Sequence, residues 1–186
     1  MKFKLIFKKL IFLSTLFIAC STKPMQNKPS SLLRTAVDFS ASCLVTGLCH
    51  ELGHAIPAQL FFNNVAGIRI GQGPSIKFNI AKFFLEIGLY PFLDGQTVFT
   101  TPNFATNTKA DLFKLLITVA AGPISGAASC YGLFKALKNN YIQSNPTMGN
   151  CLRATFLLHL INFLPGEGFD GSKILQTLFL LIRHKK

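Results

Sequence analysis

Apolar residues are concentrated in three long stretches of the chain, separated by segments rich in polar residues and glycine. The first stretch, residues 39–62, contains one formally charged residue, Glu51, and would extend about 36 Å as an α-helix. The second stretch, residues 115–134, contains no charged residue. A helix crosses the hydrocarbon core of a bilayer with roughly 20 apolar residues, so each stretch predicts a membrane-spanning helix.

The third apolar stretch is interrupted in its middle. Residues 154–164 are mostly apolar, residues 165–168 read Pro-Gly-Glu-Gly, and apolar residues resume at 174–182. Irregular backbone at membrane depth must face protein or a polar cavity, which predicts a broken third core helix. Gly122 and Gly126 in the second stretch are four residues apart and would let a neighbouring helix approach closely.

The segment between the first two stretches has a different pattern. Isoleucine and phenylalanine alternate with polar or small residues on both sides of residues 71–74, Gly-Gln-Gly-Pro, which predicts short strands and a glycine-rich turn. We expect residues 63–108 to form a β-hairpin or small sheet at the membrane face, followed by a polar loop. The predicted fold is a mainly α membrane protein, with a three-helix transmembrane core and this small membrane-associated sheet between its first and second helices.

The N-terminus has the order of charged and apolar residues that is typical of a secretory signal. Four lysines within the first nine residues precede an apolar run at 10–19, which is too short for a comfortable bilayer span. Residues 1–20 are therefore expected to be a signal peptide or an N-terminal anchor, and Cys20 is a candidate for lipid attachment. Residues 21–34 predict a linker, and residues 35–186 form the remaining single domain.

Composition and charge favour the bilayer as the partner of this chain. Of its 186 residues 49% are hydrophobic and 14% charged, a balance that leaves large apolar patches on a soluble protein. The net charge of +12 comes from dispersed basic residues without a stripe of interleaved aromatic residues, which argues against nucleic-acid binding. Basic residues beside apolar stretches instead fit anionic lipid and a multi-pass protein with a cytoplasmic N-terminus.

The cysteines do not indicate a disulfide framework or a structural zinc cluster. Five cysteines are present without a CxxC spacing. We expect Cys43, Cys130 and Cys151 to be small buried residues, and Cys49, which a helix turns away from its neighbour His50, to serve packing.

His50, Glu51 and His54 belong to the sequence His-Glu-Leu-Gly-His, an HExxH motif within the first apolar stretch. On a helix, this spacing places both imidazoles on one face, where each can donate a ring nitrogen to one zinc ion. Glu51 can take a proton from the attacking water and deliver it to the leaving amine. Chance produces this motif in on the order of one such chain in a thousand, so it predicts a zinc-dependent peptidase with Glu51 as the catalytic residue.

Two histidines leave one protein ligand to be found, and catalytic zinc sites often take it from a carboxylate or a histidine elsewhere in the chain. Asp170 follows the break in the third apolar stretch and precedes Gly171, a setting in which a carboxylate needs a partner. Glu167, inside the break, is the main alternative. His159 is expected to be a buried polar residue held by a helix neighbour.

Several segments in this order resemble the site-2 protease family of intramembrane zinc metalloproteases, over roughly residues 35–182. The HExxH segment is similar to the catalytic helix of that family, and further similarities concern its glycine-proline turn, its second core helix and its Asn-x-x-Pro segment before an Asp-Gly pair. The segments that carry the resemblance are residues 50–54, Gly71-Gln72-Gly73-Pro74, Ala121-Gly122-Pro123, Asn162-Phe163-Leu164-Pro165 and Phe169-Asp170-Gly171.

The resemblance implies roles that the spacing alone does not assign. It implies Asp170 as the third zinc ligand, Asn162 as a residue that holds the substrate strand, and a sheet edge that binds an unwound transmembrane substrate. The implied substrates are membrane-anchored proteins, cut in a bacterial cytoplasmic membrane with the active site towards the cytoplasm. The chain departs from the family at Phe169, where leucine is usual, and in the flexible, acidic residues 166–168.

Two other functions are compatible with the sequence. An exported lipoprotein could carry a soluble zinc metallopeptidase, in which the HExxH chemistry is kept and the apolar stretches are core helices. A non-catalytic membrane protein could retain the same fold to bind helices or metal, but it would have no need for Glu51 as a base.

Overall fold

The computed structural model describes residues 31–100, 108–139 and 146–183 of the chain. The predicted signal or anchor at 1–20 and most of the predicted linker lie outside the described residues. The elements in chain order are helix α1 (Ser31–Phe62), strands β1 (Val65–Ile80) and β2 (Phe83–Phe99), and helices α2 (Lys109–Lys138), α3 (Pro146–Ile161) and α4 (Asp170–Arg183).

Helix α1 contains the HExxH motif and is longer than the apolar stretch that predicted it. It begins at Ser31, so the last residues assigned to the linker are helical. Pro57 lies inside the helix and has no N–H, which leaves the carbonyl of Gly53 without its helical partner. The helix ends where Asn63 adopts a left-handed φ of 49°, a conformation that asparagine tolerates, and donates its N–H to Gln59 O at 3.1 Å.

The two strands form an antiparallel pair, and the chain does not reverse where the sequence predicted. The reversal is at Ala81 and Lys82, where Ala81 has a φ of 57°. Gly71 and Gly73, with φ values of 82° and 83°, bend β1 without ending it. The prediction of a turn at residues 71–74 is therefore wrong, because positive φ at two alternate glycines produces an irregularity within a strand.

This bend lets the first part of β1 contact both parts of β2. Residues 65–70 of β1 pair with residues 95–99, and residues 75–80 pair with residues 83–88. Residues 67–70 also pair with residues 84–87, and here the two segments run in the same direction. The second half of the long hairpin thus folds back beside its first half, which gives a compact sheet from two strands.

One face of this sheet packs on α1. Ile68, Ile70 and Leu85 are buried at 0%, 1% and 4% exposure, and they form a core cluster with Ala55 of α1. Partly buried residues of α1 complete the contact: Leu44, Leu48 and Leu52. The sheet therefore lies against the part of α1 that carries the HExxH motif.

An ion pair is present on the more exposed side of the sheet. Arg69 Nη2 lies 3.1 Å from Glu86 Oε2, and the Ser75 hydroxyl donates to Glu86 Oε1 at 2.8 Å. The hydrogen bond from Ser75, together with the charge of Arg69, lowers the pKa of the Glu86 carboxyl.

Helix α2 begins at a well-formed cap. Thr108 precedes it in extended conformation and accepts a hydrogen bond from Asp111 N at 3.1 Å. Asp111 in the first turn and lysines in the last turn have the signs that the helix dipole favours. Among the described residues, α2 is the one helix long and apolar enough to cross a membrane, which by itself is weak evidence.

The third apolar stretch is divided into two separate helices. α3 has 16 residues and α4 has 14, each shorter than the roughly 20 residues that span a bilayer. Residues 162–169 between them contain Gly168, whose φ of 82° requires a left-handed backbone. The three-helix transmembrane core therefore stays a prediction. The expected burial of Cys43, Cys130 and Cys151 is confirmed, and all three are free thiols.

Candidate metal centre

The side chains of His50, His54 and Asp170 converge on one point. Asp170 Oδ2 lies 3.0 Å from His50 Nε2 and 3.1 Å from His54 Nε2, and the two imidazole nitrogens are 3.2 Å apart. His50 and His54 are one turn apart on α1, and Asp170 is the first residue of α4. The helix spacing therefore aligns the histidines, and a helix 116 residues further along the chain supplies the carboxylate.

The hydrogen bonding of His54 shows which of its ring nitrogens carries a proton. Its Nδ1 lies 2.9 Å from the carbonyl oxygen of Thr118, and because a carbonyl only accepts, Nδ1 carries a proton. A neutral ring with that tautomer presents a lone pair on Nε2. This lone pair faces the carboxylate oxygen of Asp170, which is also an acceptor, so the contact is favourable only with a proton or a cation between them.

The geometry fits a metal ion, because three side-chain atoms that can each coordinate a cation lie within 3.2 Å of one another. A tetrahedral zinc site with bonds of about 2.0–2.1 Å separates its ligand atoms by about 3.3 Å, close to the spacings in this cluster. Within the described part of the chain, these residues are the one group of three or more histidine, cysteine, aspartate or glutamate side chains close enough to share a metal. His50, His54 and Asp170 would hold it.

Two glycines allow α1 and α2 to approach at this site. A Cβ atom at Gly53, inside the HExxH motif, would overlap the hydroxyl of Ser125 and the carbonyl of Ala121 on α2. In the opposite direction, a Cβ at Gly122 of α2 would overlap the His54 ring at Nε2, the atom that faces the metal position. Glycine is therefore needed on both helices, at Gly53 for the close approach of the helix backbones and at Gly122 for the His54 ring.

Asp170 is positioned by the segment that precedes it. The N–H of Gly171 donates to Asn162 O at 2.8 Å, and a Cβ at Gly171 would overlap the carbonyls of Phe163 and Leu164. The end of α3 is thereby fixed against the start of α4, which places Asp170 at the histidines. The Asn162 side chain is half-buried, and its amide makes no hydrogen bond within the part of the chain that the structure describes.

Glu167 lies away from the metal centre. Its side chain is exposed on the segment between α3 and α4, and it is not part of the group that could share a metal. The nearest basic group to the free oxygen of Asp170 is Lys173, whose Nζ lies 3.8 Å from Oδ1. Of the two carboxylates considered for the third ligand, the structure places Asp170 with the histidines.

Glu51 projects from α1 towards the sheet and not towards α2. Its side chain is buried, and the Thr97 hydroxyl of β2 lies 2.9 Å from Oε2 and 3.0 Å from Glu51 O. A Cβ atom at Gly95 would lie 2.8 Å from Oε1, so the backbone of β2 runs directly over the carboxylate. The strand thus encloses the candidate base on the side of α1 that faces the sheet.

His159 is more closely connected to the site than the sequence indicated. Its ring stacks on the His50 ring, with centroids 5.2 Å apart and an interplanar angle of 21°. A Cβ at Gly126 would lie 2.6 Å from His159 Nδ1, so α2 makes room for this ring too. Sequence reasoning expected a helix neighbour to hold His159, and the contact observed is with a candidate metal ligand.

His50 Nδ1 is the buried side-chain polar atom for which the described residues provide no hydrogen-bond partner. Metal-binding histidines usually donate their second ring nitrogen to an acceptor, as His54 does to Thr118. The orientation of His50 rests on its stacking with His159 and its edge contact with His54, whose centroid is 4.9 Å away.

Four residues at the site were not identified from the sequence as parts of it: Gly95, Thr97, Thr118 and Ser125. Thr118 acts through its backbone carbonyl, which has no sequence signal, and Ser125 donates to Cys49 O at 2.6 Å. Gly95 and Thr97 belong to a strand whose register against α1 is not encoded in any local pattern.

Two comparisons with known proteins found no match. No protein-family model matches the chain, and no curated protein is significantly similar to it.

Proposed function

We propose that this protein is a zinc-dependent intramembrane endopeptidase, which hydrolyses peptide bonds in or near transmembrane segments of membrane-anchored proteins. The observation that carries the proposal is that His50 Nε2, His54 Nε2 and Asp170 Oδ2 meet at one point. The helix that bears both histidines also bears the buried Glu51. Two imidazoles and one carboxylate are a ligand set of catalytic zinc sites, which keep a further position open for water or substrate.

The chemistry of the proposed reaction needs one acid–base residue. Bound zinc would supply a Lewis acid that polarises the scissile carbonyl and makes water acidic enough to react near neutral pH. Glu51 removes a proton from the water whose oxygen attacks the carbonyl carbon. When the C–N bond breaks, Glu51 gives this proton to the amine nitrogen, so one water is consumed and the enzyme is unchanged.

Substrate contacts are proposed at two places beside the metal centre. The side-chain amide of Asn162, which makes no hydrogen bond to any residue that the structure describes, adjoins the segment that positions Asp170, and it can bind the backbone of an extended peptide. The sheet edge can add the same peptide as a further strand, which would keep it out of the helical conformation that shields peptide bonds.

The surface of the described helices supports the bilayer as solvent. Large apolar side chains are exposed at the C-terminal end of α3 and along α4: Leu157, Leu158, Leu160 and Ile161, then Leu175, Leu178, Phe179, Leu180 and Ile182. Such a continuous apolar surface is unusual in a soluble monomer. Together with the positive charge of the termini, it favours a multi-pass protein with its site towards the cytoplasm.

An exported soluble zinc metallopeptidase is the second candidate, since only α2 among the described helices is long and apolar enough to span a membrane. Extraction at high pH separates the two proposals. With Cys20→Ser, which removes the candidate lipid-attachment site, an intramembrane protein stays in the carbonate-washed pellet. Release of this variant into the supernatant would establish the soluble alternative instead.

Activity is tested by co-expression with single-span proteins labelled on both sides of the membrane. Glu51→Gln should keep its zinc and lose cleavage, because only the base is removed. Asp170→Ala should lose most of its zinc, measured by elemental analysis of the purified protein. Glu167→Gln is the matched control and should retain both properties, since its side chain is exposed and outside the cluster. Cleavage by Glu51→Gln at the wild-type rate would refute Glu51 as the base of the reaction.

A further inference from the structure

Thr97 is a buried polar residue of β2, with 6% of its surface exposed. Its hydroxyl lies 2.9 Å from Glu51 Oε2 and 3.0 Å from the backbone carbonyl of the same residue. The opposite position on β1 is Ile68, which is completely buried in the core between the sheet and α1. The hydroxyl is therefore fixed by a well-packed part of the sheet.

The two carboxylate oxygens of Glu51 have different surroundings. Oε2 accepts from Thr97, whereas Oε1 makes no hydrogen bond within the described residues and faces Gly95. Gly95 and Thr97 are two residues apart on β2 and so lie on the same side of the strand. One carboxylate oxygen is thus held by a hydrogen-bond donor of β2, and the other is not.

We propose that Thr97 is a positioning residue for the general base, and that it orients Glu51 so that Oε1 receives the proton from water. This inference rests on the proposed function. The hydroxyl has one proton and two acceptors within reach. It donates to the carboxylate while Glu51 is ionised, because hydrogen bonds to a charged acceptor are the stronger ones.

This arrangement separates catalysis from metal binding within one motif. The metal ligands are fixed by contacts with α2, α3 and α4, whereas the base is fixed by β2. A substitution that removes the Thr97 hydroxyl should therefore lower the rate of hydrolysis without changing the zinc content.

Thr97→Val, which keeps the shape and removes the hydroxyl, tests this role. Hydrogen bonds to charged groups of this kind correspond to about a ten- to hundredfold change in rate, so kcat should fall by that factor. We expect an unchanged KM for a single-span substrate and an unchanged zinc content. Thr97→Ser restores the hydroxyl and should return kcat to within about threefold of wild type. Thr177→Val, a buried threonine of α4 that donates to Lys173 O, is the control and should keep its kcat.

Two results would overturn the proposal. One is a wild-type kcat for Thr97→Val. The other is an equal loss of kcat in Thr97→Ser and Thr97→Val, which would mean that packing of the threonine and not its hydroxyl is required.

A double-mutant cycle provides a measurement that does not depend on cleavage. Thr97→Val should lower the unfolding midpoint in detergent when Glu51 is present and change it much less in a Glu51→Ala background. Equal shifts in both backgrounds would show that the contact does not exist and would overturn the proposal. If the cycle shows coupling but Glu51→Gln still cleaves, the proposed function fails while the Thr97–Glu51 contact is retained.

Discussion

The two faces of α1 at the HExxH motif are supported by different kinds of structure. On one face, His50 and His54 meet α2 and the first residue of α4, in contacts that depend on glycines and backbone carbonyls. On the other face, Glu51 meets β2 through one hydroxyl and the backbone at a glycine. The five residues of the HExxH motif therefore place the candidate metal ligands against helices and the candidate base against a strand.

This difference indicates how each function can be lost. The helix face has no free space, because added atoms would overlap backbone groups or a ring held at both nitrogens. On the strand face, added atoms would meet the end of a flexible side chain, which can move. We therefore expect substitutions on the helix face to affect metal binding and folding, and substitutions on the strand face to affect the rate of hydrolysis without affecting metal binding.

Gly122→Ala should have the largest effect. Its Cβ would overlap the His54 ring at Nε2, and because the carbonyl of Thr118 also holds this ring, the displaced nitrogen leaves the cluster. Loss of ligand orientation typically costs 10- to 100-fold in metal affinity, and we expect about 100-fold or more, measured by competition with a chelator. Gly132→Ala on the same helix is the control, since a Cβ there meets nothing within 4 Å. Wild-type zinc affinity in Gly122→Ala, with helix content preserved in circular dichroism, would contradict the close contact.

Gly53→Ala should mainly affect folding. The added methyl group would overlap the Ala121 carbonyl and separate α1 from α2, and such overpacking typically costs about 1–3 kcal/mol of unfolding free energy. Gly47→Ala on the same helix should have the opposite sign. Its Cβ would be 3.9 Å from Ile70, an ordinary contact, and alanine is favoured over glycine in a helix by about 0.5–1 kcal/mol. Denaturation in detergent measures both. A stabilised Gly53→Ala would mean that the helices are further apart than the structure places them.

More of the helix face than of the strand face could be predicted from the sequence, for a physical reason. A spacing of four residues specifies that His50 and His54 share a face of α1, and the glycines at 122 and 126 indicate a close helix contact. The preference for Asp170 over Glu167 rests largely on resemblance to a known family, because no local pattern connects residues more than a hundred positions apart.

The strand face depends on register, which is a property of the folded sheet. Alternating residues predicted strands, but the chain reverses at Ala81 and not at the glycines before it. Since the position of the reversal determines which residue of β2 faces α1, Thr97 and Gly95 could not be assigned to Glu51 beforehand.

Gly95→Ala should have the smallest effect of the three substitutions. It tests most directly whether the two faces of α1 respond separately. Its Cβ would lie 2.8 Å from Glu51 Oε1, so the carboxylate must rotate away while the backbone of β2 stays in place. We expect kcat to fall by roughly tenfold, because misplaced catalytic groups lose rate steeply with distance, whereas zinc content and unfolding midpoint stay near wild type. Zinc analysis, kinetics and denaturation on one preparation measure all three. If Gly95→Ala lost zinc together with activity, the base and the metal ligands would respond as one unit, and the separation of the two faces of α1 would be refuted.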